Sequence, residues 1–188
     1  MTLKACIKSM RLRTLPLSLA GVALGVCLAA SKFRVSPWTA VLVFLTTVCL
    51  QILSNLSNEL GDALNGTDTD ERQGPQYALG SGEMSVKDIK ILIGIFVGLC
   101  IFSGLAMIQV SFGDIFKTES ICLEVLGAAA IVGAMKYTLG KNPYGYRGLG
   151  DVFVFIFFGL VSVLGGYYVA ARELPSLIML LPASAIGC

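Results

Sequence analysis

Charged residues are scarce in this chain, and their scarcity excludes most soluble proteins. Asp, Glu, Lys and Arg make up 14% of the 188 residues, whereas soluble domains carry about 25%. The net charge is only +2, and no tract of basic residues is present, so the chain gives no indication of a nucleic-acid partner. Apolar residues make up 55% of the chain, and the mean hydropathy is +0.79. This composition predicts an integral membrane protein surrounded by the lipid bilayer.

The six cysteines lack the paired spacing of a metal or redox site. No C-x-x-C occurs, and most of the cysteines lie inside apolar runs, so we interpret them as packing residues.

The basic N-terminus, residues 1–13, precedes an apolar stretch, as in a signal peptide. That stretch is long, however, and many similar ones follow it, so we interpret it as the first membrane helix.

Apolar runs of about 18 residues or more are long enough to cross a bilayer. The chain has five such runs, the first somewhat short, at residues 15–30, 37–58, 89–110, 121–139 and 152–171. A sixth begins near Ser176 and is cut off at Cys188. The predicted fold class is all-α, a multi-span transmembrane helical bundle, and residues 1–188 are expected to form a single membrane domain that is incomplete at its C-terminus. Gly94 and Gly98 would let two helices approach closely.

The basic residues predict the orientation of these spans. Four of the 14 basic residues fall on one predicted side of the membrane, namely Lys32, Arg34, Lys117 and Arg172. The others fall on the opposite side, at Lys4, Lys8, Arg11, Arg13, Arg72, Lys87, Lys90, Lys136, Lys141 and Arg147. The positive-inside rule therefore places the N-terminus and the loops after the second and fourth spans in the cytoplasm.

Four polar residues near the end of the second span share one helix face. Gln51, Asn55, Asn58 and Asp62 are spaced by four, three and four residues, which keeps them aligned at about 100° per residue. We call them the polar face, and we expect them to face an internal cavity, because polar groups at membrane depth are costly and usually functional. Amide and carboxylate oxygens at a membrane surface are the ligands that Mg²⁺ prefers, and Mg²⁺ commonly accompanies a phosphorylated substrate. An ordinary solvated acidic loop is the alternative, since further acids follow the face.

The loop after the fourth span, residues 137–151, is the second unusual segment. Its four glycines and one proline predict irregular structure, and it also carries three tyrosines and two cations. Ring faces can stabilise positive charge, and cations can bind phosphates. On the same side as the polar face, this loop would enclose a diphosphate and an organic cation. The alternative, equally supported by the residues, is a tyrosine belt at the membrane interface with ordinary positive-inside charges.

Two motifs carry a resemblance to a known family. Residues 58–68, which read NELGDALNGTD and are followed by Arg72-Gln73-Gly74-Pro75, resemble the first aspartate-rich motif of UbiA-type intramembrane prenyltransferases. They resemble the branch that prenylates 1,4-dihydroxy-2-naphthoate in menaquinone synthesis, which reads N-D-x-x-D-x-x-x-G-x-D. Residues 137–155 are similar to that branch's second signature. The resemblance spans nearly the whole chain.

The resemblance implies a set of site residues. Asn58, Asp62 and Asp68 would be catalytic and would contact Mg²⁺ bridged to a polyprenyl diphosphate, with Glu59, where the family has Asp, as a possible further ligand. Arg72 would lie near the phosphates, and Tyr77 stands near a position where relatives place an arginine. Together with Arg72, the expected substrate-binding residues are Asn55, Tyr137, Lys141, Tyr144, Tyr146, Arg147 and Asp151. The family also has a second aspartate motif, expected beyond Cys188, in a bundle of about nine helical spans.

The predicted function is Mg²⁺-dependent transfer of a polyprenyl group to 1,4-dihydroxy-2-naphthoate with loss of CO₂, in the bacterial inner membrane. Other aromatic acceptors of the superfamily, of the 4-hydroxybenzoate, haem or chlorophyll type, remain open. A membrane transporter is the non-enzymatic alternative, although its binding groups should lie near mid-membrane. A CDP-alcohol phosphotransferase would require a D-x-x-D-x-x-A-R signature, and the sequence has none.

Overall fold

The computed structural model describes residues 2–66 and 77–188, and every regular element among them is helical. Five helical stretches are long and apolar enough to cross a membrane, which confirms the predicted all-α, multi-span fold. The main helices are α1 (Leu3–Met10), α2 (Leu15–Ala30), α3 (Pro37–Leu64), α4 (Val86–Phe112) and α5 (Thr118–Lys136). The fifth stretch combines α6 (Gly150–Val154), a π-helical segment (Phe155–Gly165) and α7 (Gly166–Ala171), and α8 (Leu180–Gly187) follows it.

Three short 3₁₀ helices connect these elements, at Leu12–Thr14, Tyr144–Arg147 and Leu177–Met179. The second of them corrects the prediction that the loop of residues 137–151 is wholly irregular. Pro143 stands immediately before it, and Gly148 ends it with φ 74°, a conformation that glycine adopts without steric cost. One helical turn therefore fits between these two residues.

Local signals account for the helix boundaries. Pro37 occupies the first position of α3, where its missing N–H needs no partner. Ser85 and Asp88 form a capping box at the start of α4. α3 continues to Leu64, six residues beyond the predicted span, so Asn58 and Asp62 both lie on regular helix.

Two hydrophobic cores lie at opposite ends of the bundle. One joins α1, the C-terminal half of α3 and the N-terminal half of α4, through fully buried residues such as Leu53, Leu56 and Ile89. The other joins α2, the start of α3 and α7, around Ala29 and Val169. Between the cores, an internal space remains open.

Close helix contacts occur at other glycines than predicted. Apart from the backbone of their own helix, no described atom lies within 4 Å of a Cβ built on Gly94 or Gly98, so these two glycines do not mediate close packing in the described part of the chain. Gly21 and Gly25 of α2 instead meet the π-helical segment, and a Cβ on either would overlap Ser162 or the carbonyl of Val163.

Candidate active site

A partly open cavity of about 380 Å³ lies between α2, α3, α5 and the π-helical segment. At one end its wall includes Val43 and Met107, and at the other it includes Asn58 and Tyr137. Along α3, Val43 and Asn58 are separated by 15 residues, or about 22 Å at 1.5 Å per residue. Most of the wall is apolar, and the α3 residue at this second end is the amide Asn58. The cavity is therefore a long apolar space with a polar end.

The first half of the polar face binds the N-terminal segment of the chain. Asn55, which is 4% exposed, donates to the carbonyl of Met10 at 2.8 Å and to Oγ1 of Thr14 at 2.9 Å. Gln51 donates to the same Thr14 hydroxyl at 3.2 Å and to Oδ1 of Asn55 at 3.1 Å, and it accepts from Ser18. Gln51 still borders the cavity, whereas Asn55 is not part of its lining.

These bonds hold a sharp turn between α1 and α2. Arg11 lies in the left-handed region with φ 49°, which is uncommon for a residue with a side chain. Thr14 donates to the carbonyl of Arg11 at 3.0 Å. One hydrogen-bond network therefore joins the side-chain amides of Gln51 and Asn55 to Thr14 and, through it, to Arg11. This network compensates for the strain and sets the position of Arg11 and Arg13.

The second half of the polar face binds the loop after α5. Oδ1 of Asp62 accepts a hydrogen bond from the Tyr146 hydroxyl at 2.7 Å. The Thr138 hydroxyl donates to the carbonyl of Ser57 at 2.9 Å and is shared with Oδ1 of Asn58, which accepts at 3.2 Å. Asn58 lines the cavity and Asp62 lies one turn beyond it. The amide and the carboxylate therefore stand at the polar end, next to the tyrosine-rich loop.

Glu59 of α3 binds the segment that precedes α4. It is fully buried, and its Oε1 accepts from the backbone N–H of Leu79 at 2.8 Å. Its Oε2 has no hydrogen-bond partner within residues 2–66 and 77–188. In this position Glu59 anchors the segment that precedes α4.

The segment before α4 also binds the N-terminal residues. The Arg11 guanidinium lies 3.6 Å above the Tyr77 ring, and Arg13 donates to the Tyr77 hydroxyl at 2.8 Å. Lys8 pairs with Glu83 at 2.5 Å, and hydrogen bonds from Lys8 and Ser81 lower the pKa of Glu83. Two arginine side chains therefore contact Tyr77, which stands near the position where the resemblance implied an arginine.

Aromatic rings form the wall between the loop and the cavity. Tyr144 stacks on Phe153 with ring centroids 3.9 Å apart and meets Tyr137 edge-on at 5.3 Å. The Tyr144 hydroxyl donates to the carbonyl of Gly133 at 2.7 Å. Burial, with a smaller contribution from Tyr137, raises the pKa of Tyr144 to about 12. Tyr144 is therefore neutral at physiological pH and offers the cavity its ring face.

The other expected site residues fall into two groups. Lys141 and Arg147 are exposed on the loop, and Asp151 is exposed in the first turn of α6. Asp68 and Arg72 lie outside the described residues. Within the described ranges, no three His, Cys, Asp or Glu side chains come together as a metal cluster.

The sequence profile of the UbiA prenyltransferase family matches residues 18–188. The chain belongs to this family. Among curated UbiA relatives, the 1,4-dihydroxy-2-naphthoate octaprenyltransferase of Escherichia coli (strain K12) is 40% identical over 98% of the chain and 59% of its own length. The protein of the same name from Haemophilus influenzae is 38% identical over 98% of the chain and 60% of its length. The one from Mycobacterium leprae is 38% identical over 88% of the chain and 53% of its length.

The chain thus spans about three fifths of the length of the first two UbiA relatives. No solved structure gave a significant match. UbiA membership and the five apolar helical stretches together make this a multi-pass membrane protein.

Sequence reasoning did not single out two residues that shape the polar end of the cavity. A Cβ on Gly61 would lie 2.5 Å from both Cβ and Oγ1 of Thr138, so the loop can reach α3 only because residue 61 is glycine. Thr138 is 3% exposed and binds α3 directly. Gly61 lies in the first of the two motifs that carry the UbiA resemblance, and Thr138 lies in the second. Their places in these motifs were the signal in the sequence that could have pointed to them.

Proposed function

We propose that the full-length protein transfers a polyprenyl group from a polyprenyl diphosphate to 1,4-dihydroxy-2-naphthoate, with loss of CO₂, to give demethylmenaquinol. The observation that carries this proposal is the long apolar cavity with Asn58 at its polar end and Asp62 one turn beyond. The names of the similar UbiA proteins support the choice of acceptor. An apolar space suits a prenyl chain, and hard oxygen ligands suit the cation that accompanies a diphosphate.

The residues at the polar end fit Mg²⁺. Asn58 and Asp62 offer an amide and a carboxylate oxygen from the same helix face, one turn apart. Mg²⁺ keeps several waters and requires few protein ligands, so two ligands from α3 are sufficient to form part of its site. Asp68 is proposed as a further ligand and Glu59 as a weaker candidate, because one of its oxygens binds Leu79. Bound there, Mg²⁺ would neutralise the diphosphate and improve it as a leaving group.

The chain's own residues orient and protect the reaction. The apolar cavity holds the prenyl tail and excludes water, so the allylic carbon develops positive charge in a medium of low polarity. The ring faces of Tyr137 and Tyr144 lie at the boundary between cavity and loop, where they can stabilise that charge. The bond between allylic carbon and oxygen breaks, and its electron pair leaves with the diphosphate. The electron-rich naphthoate ring forms the new carbon–carbon bond, and its carboxylate leaves as CO₂, so that the electron pair of that bond restores the aromatic ring.

Cationic residues around the polar end complete the proposed diphosphate site. Lys141 and Arg147 are exposed on the loop beside Asp62 and are available to phosphate oxygens, and Arg72 is proposed to act with them. Asn55 is proposed to act indirectly, because its amide already binds Met10 and Thr14. Asp151 and the Tyr146 hydroxyl are proposed at the loop edge of the site. The positive-inside rule supports a cytoplasmic position for this end, in a bacterial inner membrane.

A transfer assay tests the proposal. The full-length protein in detergent would be given radiolabelled polyprenyl diphosphate with 1,4-dihydroxy-2-naphthoate, or with 4-hydroxybenzoate as the competing acceptor. We expect a labelled product only with the naphthoate, with a mass that lacks the carboxyl group, and no product after chelation of divalent cations. Product from 4-hydroxybenzoate alone would overturn the choice of acceptor, and no product from either would overturn prenyl transfer.

A further inference from the structure

Two glycines of α5 lie in the wall of the cavity and have different surroundings. Gly133 and Gly127 are both part of the lining. A Cβ built on Gly133 would lie 3.5 Å from the Phe157 ring, so α5 and the π-helical segment are in contact there. Apart from the backbone of its own helix, no described atom lies within 4 Å of a Cβ built on Gly127. A larger side chain at residue 127 would therefore project into open cavity.

One face of α5 follows the cavity from its polar end to its far end. Its lining residues recur at steps of three or four and include Leu123, Gly127, Ala130 and, at the C-terminal cap, Tyr137, so they share one face. Gly127 precedes Tyr137 by ten residues and Ala130 precedes it by seven. At 1.5 Å per residue these separations are about 15 Å and about 10 Å. Leu123 lies about 21 Å from Tyr137, in agreement with the length of the cavity along α3.

These depths can be expressed as isoprene units of a prenyl tail. An extended isoprene unit advances by about 5 Å, because it has four chain bonds and an extended chain advances roughly 1.2 Å per bond. With the diphosphate at the polar end, beside Asn58, the second unit of the tail ends near Ala130 and the third near Gly127. A fourth unit has to pass Gly127.

Aromatic and apolar side chains continue the cavity inward from the loop. Tyr144, Phe153 and Phe157 stack in sequence, with ring centroids 3.9 Å and 6.1 Å apart, and all three line the cavity together with Val161. Such a surface suits an unsaturated hydrocarbon chain, whereas a charged group would lose its hydration there. The tail of the prenyl donor is therefore the ligand expected in front of Gly127.

We propose that Gly127 determines which prenyl tails the cavity accepts, because its missing side chain leaves the space through which the fourth isoprene unit and those beyond it extend. This inference rests on the proposed function, since it places the tail of the proposed substrate in the same cavity. Because the cavity is only partly enclosed, still longer tails can continue beyond this depth into lipid.

Donors of different length test the space at Gly127. The full-length protein in detergent would be given geranyl, farnesyl or geranylgeranyl diphosphate, with two, three and four isoprene units, and 1,4-dihydroxy-2-naphthoate. In Gly127→Leu the ratio of kcat/KM for geranylgeranyl to that for farnesyl diphosphate should fall about tenfold or more, as one misfitting apolar group commonly causes. In Ala130→Leu the loss should begin one unit earlier, so the ratio for farnesyl to geranyl diphosphate should fall.

Gly98→Leu is the matched control. Gly98 is an exposed glycine in the middle of α4, and a Cβ there meets no described atom outside its own helix. It is not among the described residues that line the cavity, so this variant should leave both ratios unchanged. Unreactive prenyl thiolodiphosphates of the same three lengths give a readout without turnover, since a bound ligand raises the thermal unfolding midpoint. We expect the same dependence on length in each variant.

An equal change for all three donors in Gly127→Leu would indicate general damage and would overturn the proposal. No change for any donor would overturn it too, because the tail would then leave the cavity before this depth. If Gly127→Leu does not fold, Gly127→Ala and Ala130→Leu replace it, and a lack of length dependence in both would also overturn the proposal. The proposed function fails separately, when the wild-type protein forms no product with either aromatic acceptor from any donor, and the unfolding midpoints then still test the dependence on tail length.

Discussion

Both halves of the polar face on α3 contain a polar side chain with an amide, but they have different partners. Gln51 and Asn55 bind the turn between α1 and α2, with Asn55 almost completely buried. Asn58 and Asp62 bind hydroxyls of the loop after α5 and remain partly open. The first half therefore stabilises the fold, whereas the second presents oxygens at the polar end of the cavity. Residue type and helical spacing alone do not separate these two roles.

Asp62→Ala should have the largest effect on the second half of the face. The carboxylate is only partly buried, so its removal should leave the thermal unfolding midpoint nearly unchanged. Prenyl transfer should fall more than about a hundredfold, beyond the loss expected for a partner that only orients a ligand. Steady-state assays of the full-length protein across Mg²⁺ concentrations measure this, and near wild-type activity at saturating Mg²⁺ would contradict a metal role.

Gly61→Ala should separate the loop after α5 from the second half of the polar face, Asn58 and Asp62. Its new Cβ would lie 2.5 Å from Thr138, so the loop must shift away from α3 and weaken the contacts to Asn58 and Asp62. We expect about a tenfold to hundredfold loss of activity, with KM for the prenyl diphosphate raised. Gly94→Ala is the matched control, because no described atom lies near its Cβ. Equal activity of the two variants would show that the close approach has no functional role.

Tyr146→Phe should have a moderate effect, since it removes one hydrogen bond to Asp62 and keeps the ring. The loss of a bond to a charged group corresponds to about 2 kcal/mol, and partial exposure of both residues reduces this. We expect a several-fold rise in the Mg²⁺ concentration required for half-maximal activity. A change in kcat alone, with the Mg²⁺ requirement unaltered, would indicate that the hydroxyl acts on the substrate instead.

Lys8→Ala should have the smallest effect, because its partner Glu83 is exposed at the protein surface. The lowered pKa of Glu83 means that the pair stabilises the fold above the ordinary carboxyl pKa and loses this contribution as pH falls through the lowered value. Thermal unfolding midpoints of wild type and variant should differ slightly at neutral pH and converge in acid. A difference between the two unfolding midpoints that grows in acid would contradict a stabilising role of the Lys8–Glu83 pair.

Helical periodicity was sufficient to predict the spans and the shared face of the four polar residues, because both depend on local geometry. It could not predict that Asn55 binds Met10, because that contact depends on a turn with positive φ at Arg11. It also gave no reason to separate Glu59 from Asp62, although Glu59 binds the Leu79 backbone and Asp62 binds the Tyr146 hydroxyl. Contacts between distant segments decide such roles.

A direct comparison of Asn55→Ala and Asn58→Ala tests the central claim, that the two halves of the polar face have different roles. Both variants of the full-length protein would be assayed for prenyl transfer and for the free energy of unfolding under identical conditions. Asn55→Ala should lower the free energy of unfolding by about 2 kcal/mol, since buried groups lose their partners, while the folded enzyme keeps most of its kcat/KM. Asn58→Ala should keep its stability and lose most of its kcat/KM. The opposite pattern, or equal losses of both properties in the two variants, would contradict the claim.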